Sequence, residues 1–341
     1  MNRPQRGQRT TTSPLRGRKR TSRRPVLLVV LAFVAVAISF RLATRSDSAA
    51  TDPCSDETCV SVTTSVTNDA KAIEPAIPCP YCNQSAEAWT RQTSVAPPRI
   101  SGAHAAVIEG SCGRLVYGLR QDDRVPPASI AKIVTAIVAA QKGRLTDQVS
   151  IKVNGWDLAV ADGSSIAGIE AGMKLTLEEL LYALLLPSGN DAALAIADHF
   201  GGLGAFTDQM NQTVRRLGLQ NSRFLNPDGR DRDGNYTSAL DIGLLGRELM
   251  SNPALRKIAG TKTTPASWDG RTLWNTNYLV YGYAGATGVK FGFTEGAKET
   301  IVGAAARDGR ELFVSVLASD YAYLDSVKLF DWAFVNTRSP C

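Results

Sequence analysis

Thr176-Leu177-Glu178-Glu179-Leu180-Leu181-Tyr182-Ala183-Leu184-Leu185-Leu186-Pro187-Ser188-Gly189-Asn190-Asp191-Ala192-Ala193 is the stretch on which the reading of this chain turns. Its apolar residues recur at helical spacing and predict a helix over residues 177–186. Thr176 and Glu179 make a capping box at its start. A further helix is predicted over residues 191–200, closed by Gly201-Gly202. The turn Ser188-Gly189-Asn190 between them sets a hydroxyl and a carboxamide on a tight loop. Such groups can relay a proton and hold a substrate carbonyl. Taken alone, the same turn also fits an ordinary helix–helix connection with Asn190 or Asp191 as N-cap.

Two other blocks flank it. Upstream lies Ser129-Ile130-Ala131-Lys132, at the head of a predicted helix over residues 129–141. A serine hydroxyl is a weak nucleophile until a base takes its proton. Lys132 lies one turn on, on the same face, and serves as that base if burial or a second cation lowers its pKa. Downstream lies Lys290-Phe291-Gly292, in a strand predicted over residues 287–293. Gly292 lets a backbone approach the strand edge, and Lys290 supplies a cation. Each block alone occurs by chance in many proteins. Together their order, spacing and context agree.

The rest of the globular part frames these blocks. Residues 105–108 and 114–117 read as strands joined by a turn with Gly110 and Gly113. Residues 300–305 and 312–317 read as late strands, and 324–334 as a last helix. Strands at both ends around a helical middle predict an α/β (α+β) fold, with a sheet built from the two termini and a helical cluster beside it.

With these blocks in place the chain resembles the D-alanyl-D-alanine carboxypeptidases, the low-molecular-mass penicillin-binding proteins. Pro127-Ala128-Ser129, Gly163-Ser164-Ser165, the stretch from Gly172 to Ala193, Asn275-Thr276-Asn277 and Gly288 to Glu295 carry the likeness over roughly residues 100–338. The resemblance implies a β-lactamase/transpeptidase-like fold, an antiparallel sheet flanked by helices with a helical lobe. It implies that Ser129 attacks the carbonyl between two terminal D-alanines of a peptidoglycan stem peptide. Lys132 would be the base, Ser188 and Lys290 would carry protons to the leaving amine, and Asn190 would bind the substrate amide. Backbone N–H groups of Ser129 and Phe293, with Gly292 allowing close approach, would form the oxyanion hole. No cofactor or metal is implied, and β-lactams are the expected inhibitors.

The chain departs from the family at Phe291, where a threonine usually offers its hydroxyl to the substrate's terminal carboxylate. Some members also carry an arginine for that carboxylate, whereas residues 311–327 here contain no Lys or Arg. Cleavage of an internal D-Ala bond is the alternative this raises, and a peptidoglycan-binding protein without turnover is another. The second domain of several relatives is not expected past the last helix. A class A β-lactamase would need a deacylating glutamate, and residues 205–240 contain none. A Ser-His-Asp hydrolase would need one of the two histidines, His104 and His199, and neither neighbours a block.

Composition sets the surroundings. The 341 residues carry a net charge of +6. Nine Lys and Arg residues fall within the first 24, so the remainder is net acidic, which argues against a nucleic-acid partner. Residues 1–25 read as a basic cytoplasmic tail and 26–43 as a transmembrane anchor. A cleaved signal segment ending near Ser48-Ala49-Ala50 is the rival reading. Both place the catalytic domain, residues 99–341, outside the cytoplasm. Residues 44–98 form a Ser/Thr/Pro-rich linker with Cys54, Cys59, Cys79 and Cys82, read as disulfide-bonded or zinc-binding. Cys112 and Cys341 form a separate candidate pair.

Overall fold

The structure, a computed structural model, describes residues 95–339 and 341. The basic tail, the apolar run of residues 26–43 and the four linker cysteines lie outside the described residues. Among the described residues no helix is long and apolar enough to cross a membrane.

Strands β1 (His104–Glu109) and β2 (Leu115–Leu119) form the first hairpin. Three late strands complete the sheet: β7 (Ala286–Thr294), β8 (Lys298–Arg307) and β9 (Arg310–Ser319). The order is β2-β1-β9-β8-β7, antiparallel throughout, so the two ends of the domain meet at β1 and β9. Both faces of β1 are buried. Ala105 and Val107 pack into one core cluster, Ala106 and Ile108 into the other. That is the period of two expected of a strand covered on both sides.

The terminal helix (Ala322–Asn336) covers one face with Leu329, Phe330 and Ala333. The helix Ala239–Ser251 covers the other. Its Gly246 is needed there, because a Cβ would meet Val302 at 2.6 Å. Beyond it lies the helical lobe, centred on the helix Lys132–Lys142, whose first eight residues are all buried. Around it pack the helices Leu177–Leu185, Asn190–His199 and Leu203–Arg216. Two short antiparallel pairs, β3 (Gln148–Ser150) with β4 (Lys174–Thr176) and β5 (Thr263–Pro265) with β6 (Thr272–Trp274), edge the lobe.

The capping box forms as its residues predict. Thr176 Oγ1 accepts from the Glu179 N–H at 3.2 Å, and the Glu179 carboxylate accepts from the Thr176 N–H at 2.7 Å. Glu179 also accepts from Ser267 Oγ, which ties the helix start to a distant loop. Thr176→Ala is expected to lower stability by about 1 kcal/mol. Urea unfolding with an unchanged slope checks this, and an unchanged midpoint would refute it.

Two local expectations need correction. The helix expected from Ser129 begins as a 3-10 turn, Ala128–Ala131, and becomes α-helical only at Lys132. Neither Asn190 nor Asp191 is the N-cap of its helix. Gly189 holds that position and Asn190 is the first helical residue. Cys112 and Cys341 are disulfide-bonded, with Cα atoms 6.3 Å apart, tying the turn after β1 to the end of the chain.

Candidate active site

A cleft of about 580 Å³ opens where the helical lobe meets β7, and Ser129, Ser188, Asn190 and Gly292 all line it. Ser129 rides on the 3-10 turn directly against the strand. A Cβ on Gly292 would meet the Ser129 N–H nitrogen at 2.7 Å and that of Ile130 at 3.0 Å, so the approach requires glycine. Thr300 Oγ1 donates to the Gly292 carbonyl at 3.1 Å and fixes the strand at that point.

Lys132 lies wholly buried beneath the serine. Its Nζ donates to Ser129 Oγ at 3.0 Å, to Asn190 Oδ1 at 2.7 Å and to the Asp228 carbonyl at 2.7 Å. All three ammonium protons thus have acceptors. Burial pushes its pKa down to about 8. The Asp228 and Asp191 carboxylates oppose that fall, and the Arg230 guanidinium adds to it. The result is an amine that is readily deprotonated near neutral pH, placed at hydrogen-bond distance from a hydroxyl.

Ser188 sits on the opposite lip in a left-handed conformation, with φ of +64°. Its Oγ is buried and has no hydrogen-bond partner. Burying a hydroxyl without a partner costs free energy, so this group is available to a ligand in the cleft. Lys290, also fully buried, donates from Nζ to the Phe291 carbonyl at 2.9 Å and reaches Thr276 Oγ1 at 3.4 Å. Burial, and then the neighbouring Lys132 amine, hold its pKa well below the usual lysine range. Of the expected relay pair, Ser188 lines the cleft, whereas Lys290 lies buried behind its wall, hydrogen-bonded to its own strand and to Thr276. Asn190 is likewise engaged: its Oδ1 accepts from Lys132, and its Nδ2 donates to Ser164 Oγ at 2.9 Å. The Phe293 side chain faces solvent.

Several contributors carry no motif signature. The loop Asn226-Pro227-Asp228-Gly229-Arg230 supplies the carbonyl that anchors Lys132. Asp228 is buried and pairs with Arg230 at 2.9 Å, and Arg230 spans to Asp162 at 2.7 Å. Asp231 next to it accepts from Thr294 Oγ1 at 2.8 Å, so the loop latches both walls of the cleft. The turn residues Pro227 and Gly229 mark a loop, but a backbone carbonyl leaves no trace in residue type. His104 contacts the Arg120 carbonyl and His199 packs on Phe200; neither lines the cleft.

Comparison with known proteins agrees with this geometry. A family model described as D-alanyl-D-alanine carboxypeptidase matches residues 91–320. The D-alanyl-D-alanine carboxypeptidase of Streptomyces sp. (strain K15) is 33% identical over 265 residues, covering 72% of this chain and 91% of that one. The D-alanyl-D-alanine carboxypeptidase DacF of Bacillus subtilis is 34% identical over 224 residues, and the match spans 62% of this chain but only 56% of that longer relative. The crystal structure of the Streptomyces K15 DD-transpeptidase superposes with a TM-score of 0.67 at 32% identity, over 71% of this chain and all of that one. The expected transpeptidase-like fold is thus found, an antiparallel sheet flanked by helices with a helical lobe. On the family model and this breadth of similarity, the chain belongs to the D-alanyl-D-alanine carboxypeptidase family.

Proposed function

We propose that the protein is a serine-type D-Ala-D-Ala carboxypeptidase that acts on peptidoglycan stem peptides through an acyl-enzyme on Ser129. The observation that carries this is the contact of the buried Lys132 amine with Ser129 Oγ at 3.0 Å. As the neutral amine, Lys132 takes the hydroxyl proton while Oγ attacks the penultimate D-alanine carbonyl. Backbone N–H groups of Ser129 and Phe293 hold the oxyanion. The proton reaches the leaving amine through the unpartnered Ser188 hydroxyl, with Lys290 as the second member of the relay. Asn190 turns part of its hydrogen bonding to the substrate amide. Water then attacks the ester, and Lys132 takes a proton from it. A β-lactam enters the same path and stalls at the ester.

The catalytic domain works outside the cytoplasm in this reading, held at the membrane by residues 26–43. The basic cluster before that run and the disulfide in the described domain support this placement.

The test is mass spectrometry of a stem pentapeptide incubated with the full-length protein. Loss of one alanine, absent with Ser129→Ala, is the expected outcome. A peptide left intact by the wild type, with no adduct on Ser129 from a penicillin, would leave the non-catalytic binding reading in its place.

A further inference from the structure

The path of the leaving amine fixes which part of the cleft receives the departing residue. The amine must come within reach of Ser188 Oγ to be protonated. Groups beyond it then meet the cleft wall that includes Thr276, Tyr278 and Phe291.

Among the described residues, no cation in this region is free to pair with a carboxylate. Lys290 is buried and directed to the Phe291 carbonyl. Arg230 is the one cationic side chain lining the cleft among the described residues, and it is held by Asp228 and Asp162. The Thr300 hydroxyl is spent on the Gly292 carbonyl. Phe291 presents a ring, and it packs against the same core cluster as Leu279, Tyr283 and Tyr323. A carboxylate placed there would give up water and gain no charged partner, which is costly, whereas a neutral amide would lose far less.

We infer that the pocket for the departing residue is built for a neutral carboxyl derivative, so that a leaving residue with an amidated or peptide-linked carboxyl is released at least as well as one with a free carboxylate. This rests on the acyl-enzyme reading above and extends it to bonds inside a peptide. Chemistry balances as in ordinary hydrolysis. The amide bond breaks, the acyl group passes to Ser129 and then to water, and the departing amine leaves with the proton delivered by Ser188.

The experiment compares two peptides with the full-length protein: diacetyl-L-Lys-D-Ala-D-Ala and the same peptide ending in a carboxamide. The wild type is expected to show kcat/KM for the carboxamide equal to or above that for the carboxylate. Phe291→Thr, which restores a hydroxyl donor, is expected to move the ratio toward the carboxylate by about 10-fold or more. A wild-type preference for the carboxylate beyond about threefold, or a ratio that Phe291→Thr leaves unchanged, overturns the inference. Should that variant fail to fold, the wild-type ratio decides alone. If a penicillin acylates Ser129 and only the carboxylate peptide is cut, this inference falls and the acyl-enzyme reading stands. If neither peptide is cut and Ser129 stays unmodified, both fall.

Discussion

Replacing Lys132 with methionine is expected to slow acylation of Ser129 by about 10³-fold, within the range set by loss of a general base. Methionine is apolar and close to lysine in volume, so the buried site stays filled. What disappears is the donor that three acceptors share: Ser129 Oγ, Asn190 Oδ1 and the Asp228 carbonyl. Removing a buried amine relieves its desolvation but strands two of those acceptors, so the net change in stability is small beside the loss of rate. A fluorescent penicillin, timed against Ser129 labelling, measures the effect. Labelling within tenfold of wild type would remove Lys132 from its role.

The same group fixes the pH response. Only neutral Lys132 accepts a proton, and burial brings its pKa to about 8. The acylation rate of the wild type is therefore expected to climb about tenfold per pH unit on the acid side and level off above about 8. The Arg230 guanidinium helps keep that pKa down. Arg230→Gln should shift the rising limb to higher pH, whereas a merely structural role for Arg230 would lower the rate equally at every pH.

Asp191→Ala is expected to be the most damaging change to stability, at about 3–5 kcal/mol, or roughly 10 °C in melting temperature. Asp191 is fully buried, and its carboxylate accepts from the backbone N–H groups of Ala167, Gly168, Ile169 and Ala192, at 2.9 to 3.0 Å. Alanine leaves those donors in a dry interior without acceptors. The loop they belong to also carries Ser164 and Ser165, and the Ser165 carbonyl accepts from the Asn190 N–H at 2.8 Å. Activity and stability should therefore fall together. Asp191→Asn, which keeps one acceptor oxygen, should cost less. Denaturant unfolding checks both, and a midpoint for Asp191→Ala within error of wild type would sink the prediction.

The elements legible in the sequence are those whose signal is local. Thr176 and Glu179 announce a helix start three residues apart, and the capping box forms with both partners in place. Ser129 and Lys132 meet because they lie one turn apart. The helix Ala239–Ser251 has no such clarity, because Gly243 and Gly246 interrupt it for the sake of Ile108 and Val302 on the sheet. Glycine lowers helix propensity, and the reason for it here lies on another element. The helix Leu203–Arg216 buries only Phe206, Met210, Thr213 and Val214, a thin stripe on a polar segment. In the active site, the link from Arg230 to Asp162 crosses 68 residues of sequence, and Asp228 grips Lys132 through a carbonyl that any residue could supply. No spacing rule reaches such contacts.

The strand order also governs how the protein comes into being. Every side chain placed in the cleft precedes residue 301, yet β1 lacks one of its two neighbours until β9 arrives, and the closing cystine spans 229 positions. Pairing of such remote segments comes late, because the loop between them must first be closed. A nascent chain thus holds its whole catalytic alphabet while still unable to spell with it. A product cut short before β9 lacks the strand that joins the two ends of the sheet, and is expected to be cleared by proteolysis rather than to work as a weakened enzyme.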